Sequence, residues 1–156
     1  ARLLKPNVKT FSRKNDIHPF DDCNSLEFLC DRNDCSQFII GSHSKKRPHN
    51  MIMGRMYDGH LLDMVELGIS SFRGIESFLS RTKAVGSKPV MMFLGDEWES
   101  DSSLGRVQNL FIDMFRGDKM DKLCLKGLDH VISFAIVNGK IMMRLYTMRF
   151  KKSGSK

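Results

Sequence analysis

The sequence predicts an α/β domain built from two similar halves, and three observations carry that prediction. Asn138-Gly139 stands between apolar runs at 131–137 and 140–150. An Asn-Gly pair accepts positive φ at both central positions of a tight turn, so the two runs form a hairpin. Val107, Leu110, Phe111, Met114 and Phe115 recur at helical spacing within 104–116, and Gly117 suits the stop. Finally, Ile52 to Tyr57 matches Ile141 to Tyr146 at a constant offset of 89. Each copy is preceded by a further apolar strand, Phe38 to Ile40 in the first and Ile132 to Val137 in the second. Two copies of a strand-pair unit make a pseudo-symmetric α/β domain.

The remaining elements follow in order. Residues 1–24 hold Pro6 and Pro19 without periodicity and form an extended basic lead-in. Ser25 caps a short helix to Arg32, with Leu26, Leu29 and Cys30 on one side. Residues 37–41 (QFIIG) and 51–57 (MIMGRMY) are strands separated by the polar stretch 42–50 (SHSKKRPHN). Residues 60–69 (HLLDMVELGI) fit a helix through Leu61, Leu62, Val65 and Ile69, and 72–79 a second short one. A basic connection at 80–88 leads to 89–95 (PVMMFLG), whose unbroken apolar run suits a strand buried on both faces. An acidic loop at 96–103 precedes the helix at 104–116. The whole chain, 1–156, reads as one domain: lead-in 1–24, first half 25–80, second half 89–152.

Composition narrows the function. The 156 residues are 41% hydrophobic and 28% charged, an ordinary globular balance that excludes a disordered, collagenous or disulfide-built chain. No apolar run is long enough for a membrane-spanning helix, and no secretory leader stands at the start of the sequence. Four unevenly spaced cysteines without a leader imply free thiols in a reducing compartment. The net charge of +7 is concentrated at the ends: residues 1–20 sum to +4, residues 140–156 to +6, and the middle to −3. Such asymmetry favours a polyanionic partner, nucleic acid ahead of a membrane surface.

Among candidate sites the loop Lys45-Lys46-Arg47 stands first. In the matching second copy the strands close in two residues, so the nine residues from Ser42 to Asn50, with three basic side chains and no acid, suggest a function, and Ser42, Ser44 and Asn50 add groups suited to phosphate oxygens. Arg55, Arg144, Arg149, Lys151 and Lys152 follow as further RNA-binding positions. Trp98, alone among Asp96, Glu97, Glu99 and Asp101, is either tucked inward or offered to a partner. No metal site is expected, since Cys23, Cys30 and Cys35 form no CxxC pair and His43, His49 and His60 no tight ligand pair. No catalytic residue and no cofactor is expected either: phosphate-binding, dinucleotide and HExxH motifs are absent, and the acids at 96–101 lack an EF-hand's pattern.

The block Gly41-Ser42-His43-Ser44-Lys45-Lys46-Arg47-Pro48-His49-Asn50, followed by Gly54-Arg55-Met56-Tyr57-Asp58, resembles the Brix-domain ribosome biogenesis proteins. So do Ser25-Leu26-Glu27-Phe28, the stretch from Leu62 to Gly68, Phe115-Arg116-Gly117, Gly127-Leu128 and Lys151-Lys152-Ser153-Gly154. The resemblance implies a Brix domain of two pseudo-symmetric α/β halves with mixed or antiparallel sheets, the first half incomplete at its N-terminus, where the family has an upstream strand and helix. It implies a non-catalytic large-subunit assembly factor in the nucleolus. Its partners would be the regulator of ribosome synthesis protein as a heterodimer, 5S ribosomal RNA with the ribosomal proteins of the 5S particle, and pre-ribosomal RNA, with no membrane. An uncovered sheet edge around Phe38, Ile40 and Ile52 would then join Trp98 as the partner-binding surface. The alternative is a protein-interaction scaffold without direct RNA contact.

Overall fold

In the computed structural model, residues 2–13, 15–78, 84–151 and 154 are described. The chain divides into two units, Lys9–Ser77 and a second made of Ala1–Val8 with Phe78–Lys156. Each contains a three-stranded sheet with a helix on one face.

In the first unit, helix α1 (Asn24–Arg32) precedes strands β1 (Gln37–Ser42), β2 (Asn50–Tyr57) and β3 (His60–Gly68), all antiparallel in the order β1-β2-β3. Cys23, not Ser25, occupies the N-cap of α1, and no side chain caps it. Leu26 and Cys30, one turn apart, point the same way and pack with Phe38, Ile52 and Met56; Ile17, Ile40, Leu61 and Met64 enclose that cluster. Gly54 lies under the Phe38 ring, where a Cβ would come within 2.4 Å of the ring and 2.6 Å of the Asp63 carbonyl.

The segment from His60 is a strand, not the expected helix. Asp58 and Gly59 both adopt positive φ (50° and 78°), forming the tight turn that sends the chain back along β2. Leu61, Met64 and Glu66 then face α1, and a bulge between Arg55 and Met56 leaves Leu62 outside the pairing. Only a 3-10 turn at Ile75–Ser77 forms in the region expected to hold another helix, whose last residue, Leu79, lies outside the described residues.

The second unit holds β4 (Val90–Leu94), α2 (Glu97–Ser100), α3 (Ser102–Phe115), β5 (His130–Val137) and β6 (Lys140–Thr147). Its sheet is mixed: β4 runs parallel to β5 after a helical crossover, and β6 returns antiparallel through Asn138-Gly139, with φ of 51° and 69°. Strand β4 is an edge strand with Met92 and Leu94 exposed, so only one of its faces is covered. The expected acidic loop winds into α2, and Asp101 caps α3 by accepting from Ser103 N–H at 2.8 Å and Leu104 N–H at 3.4 Å. The core centres on Phe134, fully buried and stacked between Phe93 (5.1 Å) and Phe111 (4.5 Å).

The two halves are alike, but the repeat runs differently from the sequence match. The offset of 89 aligns β2, a central strand, with β6, an edge strand. The folded correspondence sets β2 on β5, Asp58-Gly59 on Asn138-Gly139, and β3 on β6, an offset of 80. The burial patterns of β2 and β5 agree at the first six positions. The loop of Lys45 to Arg47 therefore has no shorter counterpart in the Asn-Gly turn. It joins β1 to β2, where the second unit uses the α2–α3 crossover.

Candidate nucleic-acid interface

The loop between β1 and β2 is a folded structure. Ser44 N–H donates to Arg47 C=O at 3.0 Å, and Arg47 N–H returns to Ser44 Oγ at 3.0 Å. His49, at φ 55°, donates its N–H to His43 Nδ1 at 3.3 Å, and the two rings lie 4.8 Å apart. Its carbonyl accepts from Ile69 N–H at 2.8 Å, tying the loop to the end of β3. Arg47 reaches Glu66 on β3 at 2.6 Å, while the buried Asn50 side chain donates to Glu66 at 2.9 Å and to the Arg47 carbonyl at 3.3 Å. Arg47 is thus a brace, its charge met by a carboxylate. Lys45 and Lys46, at the exposed tip, have no ion-pair or hydrogen-bond partner among the described residues.

Arg55 is held more firmly. It makes a fork across the β2–β3 ladder to Asp63, with Nε to Oδ1 at 2.9 Å and its second nitrogen on Oδ2. The Arg55 side chain is only 20% exposed, and turning it toward a phosphate would strand Asp63. Sequence reasoning missed Glu66, Asn50 and Asp63 as the groups that engage these arginines. The missed signal was Asp58-Gly59: a two-residue turn there puts β3 beside β2 and brings Asp63 opposite Arg55.

In the second unit Arg144 lies exposed on the face of β6 away from α3, flanked by Met142 and Tyr146. Arg149 and Lys151 follow β6 and are exposed; among the described residues none of the three has an acidic partner. Lys152 lies outside the described residues. The charge of the chain divides sharply between the units. Residues 9–77 hold nine basic and ten acidic side chains, a net of −1, and the remainder sixteen basic and eight acidic, a net of +8.

The four residues expected at a partner surface are placed differently. Phe38 and Ile52 belong to the first unit's core, with Ile40 packed against it. Trp98 is 2% exposed, edge-on to Phe93 at 5.2 Å and to Phe111 at 6.4 Å, so it packs the second unit's interior.

One polar cluster superficially suggests catalysis. His130, buried at the start of β5, donates from Nδ1 to Asp129 Oδ1 (2.6 Å), and Ser87 Oγ lies at 3.4 Å from the same nitrogen. A nucleophile–base relay uses the two ring nitrogens separately, so this arrangement is a tether. Asp129 also accepts from Ala84 N–H at 2.7 Å, which pins residues 84–87 to the strand. Burial pushes Asp129 up, but hydrogen bonds from His130, Ala84 and Ser87, with the His130 charge, hold it below the ordinary aspartate value of 3.8. Among the described residues no group of three His, Cys, Asp or Glu side chains is arranged to hold a metal ion, and no helix is long and apolar enough to cross a membrane.

The amino-acid sequence is similar to that of known proteins. The chain is 46% identical over 155 residues to a Drosophila melanogaster protein named Ribosome production factor 2 homolog, covering 99% of this chain and 48% of the relative. Proteins of the same name are 43% identical in Mus musculus, over 97% of this chain and 50% of the relative, and 39% identical in Arabidopsis thaliana, over 99% and 51%. The chain spans about half the length of the curated relatives it matches. The Brix domain matches residues 1–156, and with the duplicated sheets and hairpins this places the chain in the Brix-domain family.

Proposed function

We propose that this chain is the Brix domain of a non-catalytic assembly factor for the large ribosomal subunit. In this reading it binds 5S ribosomal RNA together with a partner assembly factor, the regulator of ribosome synthesis protein. The pair recruits the 5S particle, with its ribosomal proteins, to pre-ribosomal RNA in the nucleolus. The names borne by the relatives support ribosome assembly as the setting.

The observation that carries direct RNA contact is the division of charge. A unit of net +8, joined to one of net −1, presents Arg144, Arg149 and Lys151 at and just beyond an edge strand, in a stretch (140–156) without one acid. A field of that sign attracts phosphates and gives no reason to be confined to one unit for solubility alone. Tyr146, exposed beside Arg144, offers a ring on which an unpaired base can stack. Phe150, exposed between Arg149 and Lys151, offers a second such ring; with only these two rings beside the exposed basic groups of that stretch, recognition rests mainly on backbone and shape.

The test is a binding isotherm for 5S ribosomal RNA across a series of salt concentrations. Phosphate recognition gives a linear fall of log affinity with log salt, by about 0.7 to 0.9 per contact. A chain that joins the assembly through protein contacts alone gives no salt-steep RNA binding, and that outcome favours the scaffold reading.

A further inference from the structure

The end of α1 closes as a Schellman motif. Cys35 N–H donates to Cys30 C=O at 2.9 Å, Asp34 N–H donates to Asp31 C=O at 3.0 Å, and Asp34 takes the left-handed conformation at φ 53°. In this motif the side chain at the third position from the helix end meets the second residue beyond it, commonly as an apolar contact. Here those two positions are both cysteine. Cys30 is buried against Leu26, Phe38 and Met56, whereas Cys35 is half-buried. Both line a surface pocket with Asp31, Asp34, Met56 and Asp58, through which a small reagent meets Cys35 first. The thiols sense one another: burial, then the neighbouring Cys35, raises the Cys30 thiol above its ordinary value.

We propose that Cys30 and Cys35 are a dithiol that a small-molecule disulfide converts reversibly into an intramolecular disulfide across the end of α1. The Cys35 thiolate attacks one sulfur of the oxidant, whose S–S bond breaks. One thiol leaves, taking up a proton in place of the one Cys35 lost, and Cys35 carries the mixed disulfide. Cys30, losing its proton in turn, attacks the Cys35 sulfur, and the second thiol departs with a proton. Two protein thiols are oxidised by two electrons, and one oxidant disulfide is reduced to two thiols. The burial of Cys30 and the partial exposure of Cys35 assign the first attack to Cys35 and the resolving step to Cys30.

The other cysteines are placed differently. Cys23 sits at the opposite end of α1, its thiol donating to the Pro19 carbonyl at 2.9 Å, and Cys124 is exposed in the other unit. The closed bond would tie the last turn of α1 to Cys35, two residues before β1 begins, a loop of native geometry whose closure restricts the unfolded chain.

The experiment uses the full chain with Cys23→Ser and Cys124→Ser, incubated folded with glutathione disulfide. Trypsin cleaves after Arg32, so a Cys30–Cys35 bond links two peptides that otherwise separate, and the intact mass falls by two hydrogen atoms. The expected result is linked peptides, reversed by dithiothreitol and formed faster in the folded chain than in urea. A chain that stays reduced, that stops as a glutathione adduct on Cys35, or that links no faster folded than unfolded overturns the proposal. Adding Cys30→Val removes the resolving thiol and should trap that adduct; the linked-peptide comparison holds whether or not this variant folds.

Discussion

Replacing Arg144, Arg149 and Lys151 together by alanine should flatten the salt dependence of RNA binding, and replacing Lys45 and Lys46 should flatten it less. The first three are exposed in the unit of net +8 and have no acidic partner among the described residues. Each phosphate contact contributes a slope of about 0.7 to 0.9 in log affinity against log salt, so three lost contacts reduce the slope by roughly 2 to 3. Lys45 and Lys46 belong to a unit of net −1 and can account for a reduction of at most roughly 1.4 to 1.8. Arg47→Ala is the internal control. Its guanidinium already meets Glu66 at 2.6 Å, so its loss should change the slope little. That pair is two-thirds exposed on the arginine side, and its contribution to stability is on the order of 0 to 1 kcal/mol. The assay is fluorescence anisotropy with labelled 5S ribosomal RNA at several salt concentrations, with a melting curve for each variant. An unchanged slope for the Arg144, Arg149 and Lys151 variant with an intact fold would refute the placement of RNA on the second unit. A larger effect from Lys45 and Lys46 would move it to the first.

Further expectations concern the scaffold. Phe134→Ala, which empties the ring stack between Phe93 and Phe111, should cost about 3 to 5 kcal/mol in chemical denaturation, whereas Phe134→Leu should cost clearly less. Gly54→Ala should destabilise by about 1 to 3 kcal/mol, because its methyl meets the backbone carbonyl of Asp63 as well as the Phe38 ring; a second change, Phe38→Leu, should recover only the part owed to the ring. Asp129 is held below its ordinary value in the folded chain, so it adds stability above the unfolded aspartate value of 3.8 that is lost as pH falls through the lower, folded value. Melting temperatures recorded through that acid range should therefore drop more steeply for the parent chain than for Asp129→Asn. Asp101→Ala should lower the melting temperature by uncapping α3, and Asp101→Ser should restore much of the loss.

The parts of the fold legible in the sequence were those with a single physical reading. Asn138-Gly139 admits one turn between two apolar runs, and the spacing from Val107 to Phe115 admits only a helix. The region from His60 admitted two readings. Leu61, Leu62, Val65 and Ile69 fit a helical face, but the segment folds as a strand with Leu61, Met64 and Glu66 on one face and Asp63, Val65 and Leu67 on the other, a pattern broken by the bulge, and the positive φ at Asp58 and Gly59 decides between the two readings. That one misreading had two results. It hid the true repeat, leaving a chance match between a central and an edge strand, and it removed Asp63 and Glu66 from the neighbourhood of Arg55 and Arg47. The basic side chains of the candidate interface were legible as residues. Which of them are neutralised was not, because that depends on cross-strand register. Trp98 illustrates the same limit: its neighbours in sequence are acidic, and its neighbours in space are phenylalanines.

Two sheets with the same strand order and the same turn create a hazard during folding, since either hairpin arm could be recruited by the wrong central strand. The side chains of β3 act as an address label against that exchange. On β2, Asp63 meets Arg55 and Glu66 meets Asn50. Transferred to β5 in the equivalent register, Asp63 would lie against Ala135 with no guanidinium to receive it, and Glu66 would meet His130, already engaged by Asp129, in place of Asn50. In the reverse exchange, β6 would offer Met142 to Arg55 and strip that guanidinium of its fork. A charge-neutral β3, such as Asp63→Asn with Glu66→Gln, should therefore produce swapped dimers on concentrated refolding, visible as a second peak in size-exclusion chromatography that the parent chain lacks.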